Sequence, residues 1–592
     1  MSIMYIQWHI LCKQTTKFKS LKQKLMKRNL ISPATFMMVF ALLLSGIFNS
    51  VIAQSSTRQK EAEAGKLIEE YNNNSTPGGA VMVIRNGKVV YSKAFGMANL
   101  THNVPFQITT PTNIGSTTKQ FTAFAIALLE ERGQLSINDD IRKYIPELPD
   151  LGDTVRLKHL LSHTSGYREY LNSLLMSGRQ IGDQIRKEEI ILLVQNQPVL
   201  QNKPGELYNY NNTGYALLAM VIERVTGEDY PGWMKKNIFT PLGMTHTVVR
   251  ENPGQIIPGN AQGYILQENE QYEEATDIPS SMGAGGIYTT LDDLGKWIKN
   301  FSKPVVGNVN LMEKLQTPFI LNNGDTMNYA YGLLIGQMNG LKLVEHGGAD
   351  IAHRSMLMMF PEVQGAVITQ SNNGNFSGQV ARKLAKIYFA DVMKIEEEEK
   401  KPTTEPAEFV YDAEKFDELA GRYELEVAPG FILEFRREDN KLFTQATGQG
   451  AVEIFGSSDS TFYMKVVQAS VTFHRNADGK VEHLTLHQNG NHRGNRIHEP
   501  AWKPSEEDIK MYTGRYFSNE LEAFYSIALD DEKNLVLKHR RIDDLPLKAE
   551  SKDQFTASFP IPELKFIRNE KGEVTGFEAS SGRSTGILFQ KQ

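Results

Sequence analysis

Ser116-Thr117-Thr118-Lys119-Gln120-Phe121-Thr122-Ala123-Phe124-Ala125-Ile126-Ala127-Leu128-Leu129 is the stretch that decides the fold. From Phe121 onward it is apolar nearly all round, which predicts a helix threaded through a domain centre rather than laid on its surface. Gly133 marks the C-terminal stop. Ser116 and Lys119 share one helix face, one turn apart. A buried lysine amine there can give up its proton and help activate the hydroxyl. The helix N-terminus also favours negative charge developing beside the serine. Alone, S-x-x-K is a common string whose ordinary reading is a surface helix start with Ser116 as N-cap, so the rest of the chain must supply its meaning.

The 592 residues leave room for several domains. A formal net charge of -5 gives no electrostatic case for nucleic acid. There is no phosphate-binding glycine loop. Lys27 and Arg28, an apolar stretch from Phe36 to Ile47 and then Val51-Ile52-Ala53 form an export signal over residues 1–53, with cleavage expected before Gln54. Met26 begins a leader of ordinary length and is a second candidate start. The apolar core is too short for a comfortable membrane span, so no stable membrane anchor is expected. Cys12, the single cysteine, lies upstream of the cleavage point. The mature chain would carry no disulfide, thiol nucleophile or cysteine-bound metal, as fits a periplasmic or secreted bacterial enzyme.

Helical spacing runs from Gln59 to Tyr71. Val81-Met82-Val83-Ile84 and Val89-Val90-Tyr91 flank Asn86-Gly87, a tight hairpin signal. Residues 140–280 read as helices and loops, and strand patterns return at Tyr329–Leu334, Leu341–His346, Ser355–Phe360 and Gly365–Thr369. That order fits a sheet with a helical insertion over 54–395. Residues 396–410, charged and then proline-rich, read as a linker. Beyond it the sequence repeats with an offset of 93: Gly421-Arg422-Tyr423 with Gly514-Arg515-Tyr516, Phe462 with Phe555, Phe473-His474-Arg475-Asn476 with Phe566-Ile567-Arg568-Asn569. Two copies of one antiparallel β module follow, over 411–500 and 501–592, each the size of a small closed barrel. The paired Gly-Arg-Tyr reads as a barrel-closing element rather than a ligand site.

Acyl transfer by a serine needs a nucleophile, a proton acceptor, an oxyanion hole and groups that hold the substrate. Ser116-Thr117-Thr118-Lys119, Tyr210-Asn211-Asn212 and His346-Gly347-Gly348 follow one another in that order. His159-Leu160-Leu161-Ser162-His163-Thr164-Ser165-Gly166, Pro241-Leu242-Gly243-Met244 and Gly285-Gly286-Ile287-Tyr288-Thr289-Thr290 accompany them. Over residues 60–390 the set resembles the beta-lactamase-related serine hydrolase superfamily, on its class C beta-lactamase, DD-peptidase and D-aminopeptidase side. The resemblance implies an α/β (α+β) transpeptidase-like catalytic domain with an antiparallel sheet and a helical subdomain, followed by two all-β, lipocalin-like antiparallel barrels. It implies Ser116 as acylated nucleophile and Lys119 as the cation that shares its proton. Tyr210 would be general base with a pKa lowered by Lys119. Asn212 would bind Lys119 and the substrate amide, His346 would line the site, and Gly348 would let substrate approach. The N–H groups of Ser116 and Ala349 would form the oxyanion hole.

His159 and His163 have metal-pair spacing, but they fall in a structural block of the family and no metal or cofactor is expected. His346-Gly347 departs from the lysine and threonine of efficient beta-lactamases. That argues against antibiotic hydrolysis and resembles the D-aminopeptidase branch, whose catalytic domain also precedes two barrels. The expected partner is a small-molecule or peptide substrate, cell-wall material among the candidates. Esterase, DD-carboxypeptidase and a silent envelope binding protein remain alternatives, and the oligomeric state is open.

Overall fold

The computed structural model describes residues 57–592 apart from 268, 279–281, 395–410, 427–430, 447–450, 465–468, 477, 489–490, 498–501 and 503. The export signal and the 396–410 linker lie outside the described residues. A helix over 57–66 precedes β1 (Gly79–Arg85) and β2 (Lys88–Phe95). Asn86 and Gly87 join them with φ of 51° and 69°. Both values are left-handed, which a two-residue hairpin turn requires and Asn-Gly accommodates. Late in the domain come β3 (Leu334–Met338), β4 (Leu341–Ala349), β5 (Arg354–Phe360) and β6 (Gly365–Ser371). The sheet order is β3-β4-β5-β6-β1-β2, all antiparallel. Early hairpin and late meander meet at β1–β6, from Gly79↔Ser371 to Ile84↔Ala366. The helical insertion is everything between.

The strand expected at Tyr329–Leu334 is displaced. Tyr329 makes only an isolated bridge to Leu334, where β3 begins. Gly332 is the reason: its φ is 67°, and a Cβ there would lie 2.6 Å from the backbone of Lys119 and Gln120. The chain turns at that glycine to pack on the start of the central helix.

Both faces of the sheet are covered, so β1 is buried along almost its whole length. Met82 and Ile84 face one core with the central helix α1 (Lys119–Glu131), α2 (Asn212–Thr226) and α3 (Leu291–Ser302). Val81 and Val83 face the other, against α4 (Gln379–Phe389). Each such buried aliphatic side chain contributes about 1.5–3 kcal/mol. Every residue of α1 from Lys119 to Leu129 is buried, as its unbroken apolar run predicts. Its entry is tighter than expected: Gly115–Thr118 form a 3-10 turn before the α-helix begins.

Beyond the first domain each repeat is an antiparallel β sheet preceded by a short helical segment, Ala413–Glu418 in the first and Glu506–Tyr512 in the second. The first closes into an eight-stranded barrel, Gly421–Leu425 pairing with Asn491–Arg496. The second is a nine-stranded, nearly closed sheet in which Gly514–Ser518 pairs with Ser584–Lys591. Its two edge strands, Ile542–Pro546 and Lys548–Ser551, are consecutive in sequence. Gly421 and Gly514 have φ of 148° and 146°. Tyr423 and Tyr516 each donate a hydroxyl hydrogen bond of 2.7 Å to the carbonyl four residues earlier. Gly-Arg-Tyr thus has the same local geometry in both copies, although only the first closes fully.

The second barrel docks on the helical part of the catalytic domain. Arg168 pairs with Glu520, both buried. Tyr525 donates to the Met176 carbonyl at 3.0 Å, and Ser173 and Ser584 share a 3.0 Å hydroxyl contact.

Candidate active site

The segment before α1, which carries Ser116, is pinned against β4 and β5. Thr117 Oγ1 and Ser355 Oγ lie 2.8 Å apart, and Ser355 donates to the Ile114 carbonyl at 2.8 Å. Gly348 fits against that carbonyl, since a Cβ there would come within 1.9 Å of Ile114 O. Its missing side chain therefore serves close packing of β4 on the serine segment, not the substrate approach expected of it. Gly115 does the same from the other side, with φ of 49° and no room for a Cβ beside the Ala349 backbone. The backbone at Ser116 and at Ala349 is thereby brought together. Asn113 ties the two: Oδ1 accepts from Gly115 N at 2.8 Å and Nδ2 donates to Asp350 at 2.6 Å.

Lys119 Nζ, fully buried, contacts Ser116 Oγ at 3.1 Å, Asn212 Oδ1 at 2.8 Å and the Ala284 carbonyl at 2.8 Å. Burial drives its pKa well below the usual lysine range, and the nearby Arg583 charge adds to the fall. A neutral amine has two hydrogens and one lone pair. Asn212 Oδ1 and Ala284 O are acceptors only and take the two hydrogens, so the lone pair is left for the Ser116 hydroxyl.

Tyr210 precedes α2, whose N-cap is Asn211, its Oδ1 accepting from Gly214 N at 2.9 Å. The Lys119 amine lies 4.8 Å from the Tyr210 ring centroid. The expected lowering of the Tyr210 pKa is not what the surroundings produce. Burial pushes it up, and Ser116 and Arg583 only partly oppose this. A neutral lysine supplies no charge to hold a tyrosinate, so the phenol keeps its proton.

His346 is buried. Its Nδ1 lies 2.6 Å from the Gly347 carbonyl, which accepts that ring hydrogen, leaving Nε2 to take the Tyr329 hydroxyl at 3.3 Å. Burial lowers its pKa to about 4 and leaves it neutral at pH 7. His163 packs on Tyr210, Tyr215 and Tyr329 with ring centroids 4.3, 5.1 and 4.7 Å away. His159 accepts the Arg156 N–H at 3.2 Å, at the start of its helix. These two histidines thus serve the ring cluster and a helix end.

Asp277, Asp350 and His353 cluster beside the site with donor atoms within 4.8 Å of one another. Their charges already have partners: Asp277 takes Arg250, Tyr288 and His353, and Asp350 takes Asn113 and the Ile278 N–H. Burial and Asp277 raise Asp350 to about 6.

All seven expected residues, Ser116, Lys119, Tyr210, Asn212, His346, Gly348 and Ala349, fall in this one region. Asn113, Gly115 and His163 were not expected to shape it. Gly115 immediately before the serine was the one available signal. Arg583 was not expected either; its Cζ lies 5.3 Å from the Tyr210 ring centroid.

The Beta-lactamase family model matches residues 64–388, and a domain of unknown function, DUF3471, matches 407–497. Penicillin-binding protein 4* of Bacillus subtilis is 25% identical over 432 residues, covering 70% of this chain and 94% of that protein. A putative penicillin-binding protein, PbpX, of the same organism is 28% identical over 330 residues, 54% of this chain and 80% of its own. The solved octameric penicillin-binding protein homologue from Pyrococcus abyssi superimposes with a TM-score of 0.53 at 25% identity, covering 74% of this chain and 99% of that one. With the family match spanning more than half its length, this chain belongs to the beta-lactamase family of serine hydrolases.

Proposed function

We propose that the protein is an exported hydrolase that forms an acyl-enzyme on Ser116 and cleaves amide bonds in D-amino-acid or short peptide substrates. The carrying observation is the Lys119 amine, buried and hydrogen-bonded to Ser116, Asn212 and Ala284. Neutral Lys119 takes the Ser116 proton as Oγ attacks the substrate carbonyl carbon. The N–H groups of Ser116 and Ala349 receive the oxyanion. Tyr210, still protonated, gives its proton to the leaving amine as the C–N bond breaks, and Lys119 passes its extra proton back to Tyr210. Water then attacks the ester with its proton drawn to the same pair, and Ser116 leaves as the hydroxyl. This divides the labour differently from the general-base role first expected of Tyr210, because burial favours both groups in their neutral forms.

Export is supported by the sequence of residues 27–53 and by the bacterial penicillin-binding relatives. Among the described residues no helix is long and apolar enough to cross a membrane. The test is turnover by purified 54–592 of a D-alanine anilide with a free amine, an N-acylated D-Ala-D-Ala and a short p-nitrophenyl ester. Ser116→Ala should lower any true turnover by on the order of 10⁴-fold or more. Hydrolysis of the ester alone would move the protein to the esterase reading. Equal rates in wild type and Ser116→Ala, with no phosphonate labelling of Ser116, would end the enzyme reading.

A further inference from the structure

Arg583 sits in the turn between the last two strands of the second barrel, Val574–Ser581 and Ser584–Lys591. The backbone of this turn is fastened to the catalytic domain. The Arg583 carbonyl accepts from Asn209 Nδ2 at 3.4 Å. Ser584 Oγ donates to the Glu169 carbonyl at 2.9 Å, and the Thr585 N–H donates to Gln201 Oε1 at 2.7 Å. Asn209 adjoins Tyr210 in sequence, so the turn is held beside that ring. The guanidinium itself, half-buried, makes no ion pair or hydrogen bond among the described residues.

The other groups able to receive an anion here are spent or absent. The Lys119 amine is committed to three oxygens. His346 is neutral with both ring nitrogens engaged. Position 347 is glycine and offers no side-chain donor. Tyr210 faces the leaving group in the proposed reaction, so a cation over its ring faces that half of the substrate.

We propose that Arg583 is a carboxylate-binding residue of the active site, through which the second barrel selects substrates whose leaving group carries a carboxylate. This rests on the acyl-enzyme reading above. A guanidinium fork matches a carboxylate through two parallel hydrogen bonds, which a lysine ammonium cannot reproduce.

Three peptides with the same scissile amide test it on the full chain: N-acetyl-D-Ala-D-Ala, its C-terminal amide, and the α-amide of N-acetyl-D-Ala-D-Glu, whose only carboxylate is on the side chain. The wild type should prefer one of the two acids over the neutral amide in kcat/KM, and which acid wins identifies the carboxylate. Arg583→Gln should cut that ratio by about 10- to 100-fold. Arg583→Lys should recover part of it. A ratio unchanged in Arg583→Gln overturns the proposal. So does a parallel fall on acid and amide, which would make Arg583 a positioning residue for Tyr210. Should Arg583→Gln fail to fold, wild-type rates on phenyl acetate and 3-carboxyphenyl acetate decide, and no preference for the acid overturns it. Ser116 labelled by a phosphonate but no acid preference sinks only the Arg583 assignment. No labelling and no turnover sinks the hydrolase reading and this proposal with it.

Discussion

The two barrels are copies of one module put to different uses. Both begin with a left-handed glycine followed two residues on by a tyrosine whose hydroxyl donates to the carbonyl four residues back. Both fill their interiors with aromatic side chains, around Phe416, Phe462 and Phe473 in the first and Tyr512, Phe555 and Phe566 in the second. What separates them is what stands at matching sequence positions. Where the second has Glu520 and Gly582-Arg583, the first has Val427 and Asn489-Gly490. The scaffold is preserved by its core, and a few residues of the second copy, Glu520 and Arg583 among them, bring it against Arg168 and the Tyr210 ring.

The sharpest way to break this comparison is to cut the docking contact. Arg168 and Glu520 are both over nine-tenths buried. Arg168→Ala leaves a buried carboxylate without its cation, at a cost of about 3–5 kcal/mol. Burial already pushes the Glu520 pKa up against the pull of Arg168, so protonation on mutation should bring the loss toward the lower end. In the first barrel, Arg437 pairs with Asp417 at 2.7 Å on the surface, and Arg437→Ala should leave the unfolding midpoint essentially unchanged. Urea unfolding with turnover measured in parallel checks both. Arg168→Ala should lose stability and activity together, Arg437→Ala neither. Equal losses would mean that the second barrel is not specially coupled to the site.

The same contrast explains what the sequence could disclose. Ser116, Lys119, Tyr210, Asn212 and His346 sit in short strings whose residue types state their chemistry, and the 3.6-residue run after Lys119 places the first of them at a domain centre. The hairpin at Asn86-Gly87 was legible for the same reason, since two residues dictate the turn. The tandem repeat was visible because its marks recur at a fixed offset. Arg583 was illegible: it meets Asn209 from 374 positions away, through docking of a whole domain. Gly348 was located correctly but misread, because only the packed structure shows Ile114 in the space beside it. The Tyr210 pKa was misjudged because desolvation depends on what surrounds a group, which no local string records.

A middle-sized effect tests the sameness of the modules. Tyr423→Phe and Tyr516→Phe each remove one hydroxyl and leave a carbonyl, of Leu419 or Tyr512, without that donor. Each should cost about 1 kcal/mol, and the two losses should agree within a few tenths. Denaturation of the two variants followed by intrinsic fluorescence gives both numbers. A clearly larger loss in one copy would show that the Gly-Arg-Tyr element has acquired a different structural duty there.

The smallest expected effect is electrical and asks whether the charge on the second barrel reaches the catalytic amine. Lys119 must be neutral to take the Ser116 proton, so kcat/KM should rise with pH as the amine loses its own proton. Burial sets most of the depression of its pKa, and the positive charge of Arg583 lowers it further. Removing that charge favours the ammonium form and moves the pKa back toward 10.5. The acid limb of the profile should therefore shift to higher pH in Arg583→Gln. A neutral amide substrate isolates this effect from any loss of carboxylate binding. The same exchange at exposed Arg493 in the first barrel should leave the limb where it is. A limb that stays put in Arg583→Gln would confine the second barrel's influence to substrate contacts, whereas the expected shift would mean that it helps set the protonation of the nucleophile's base.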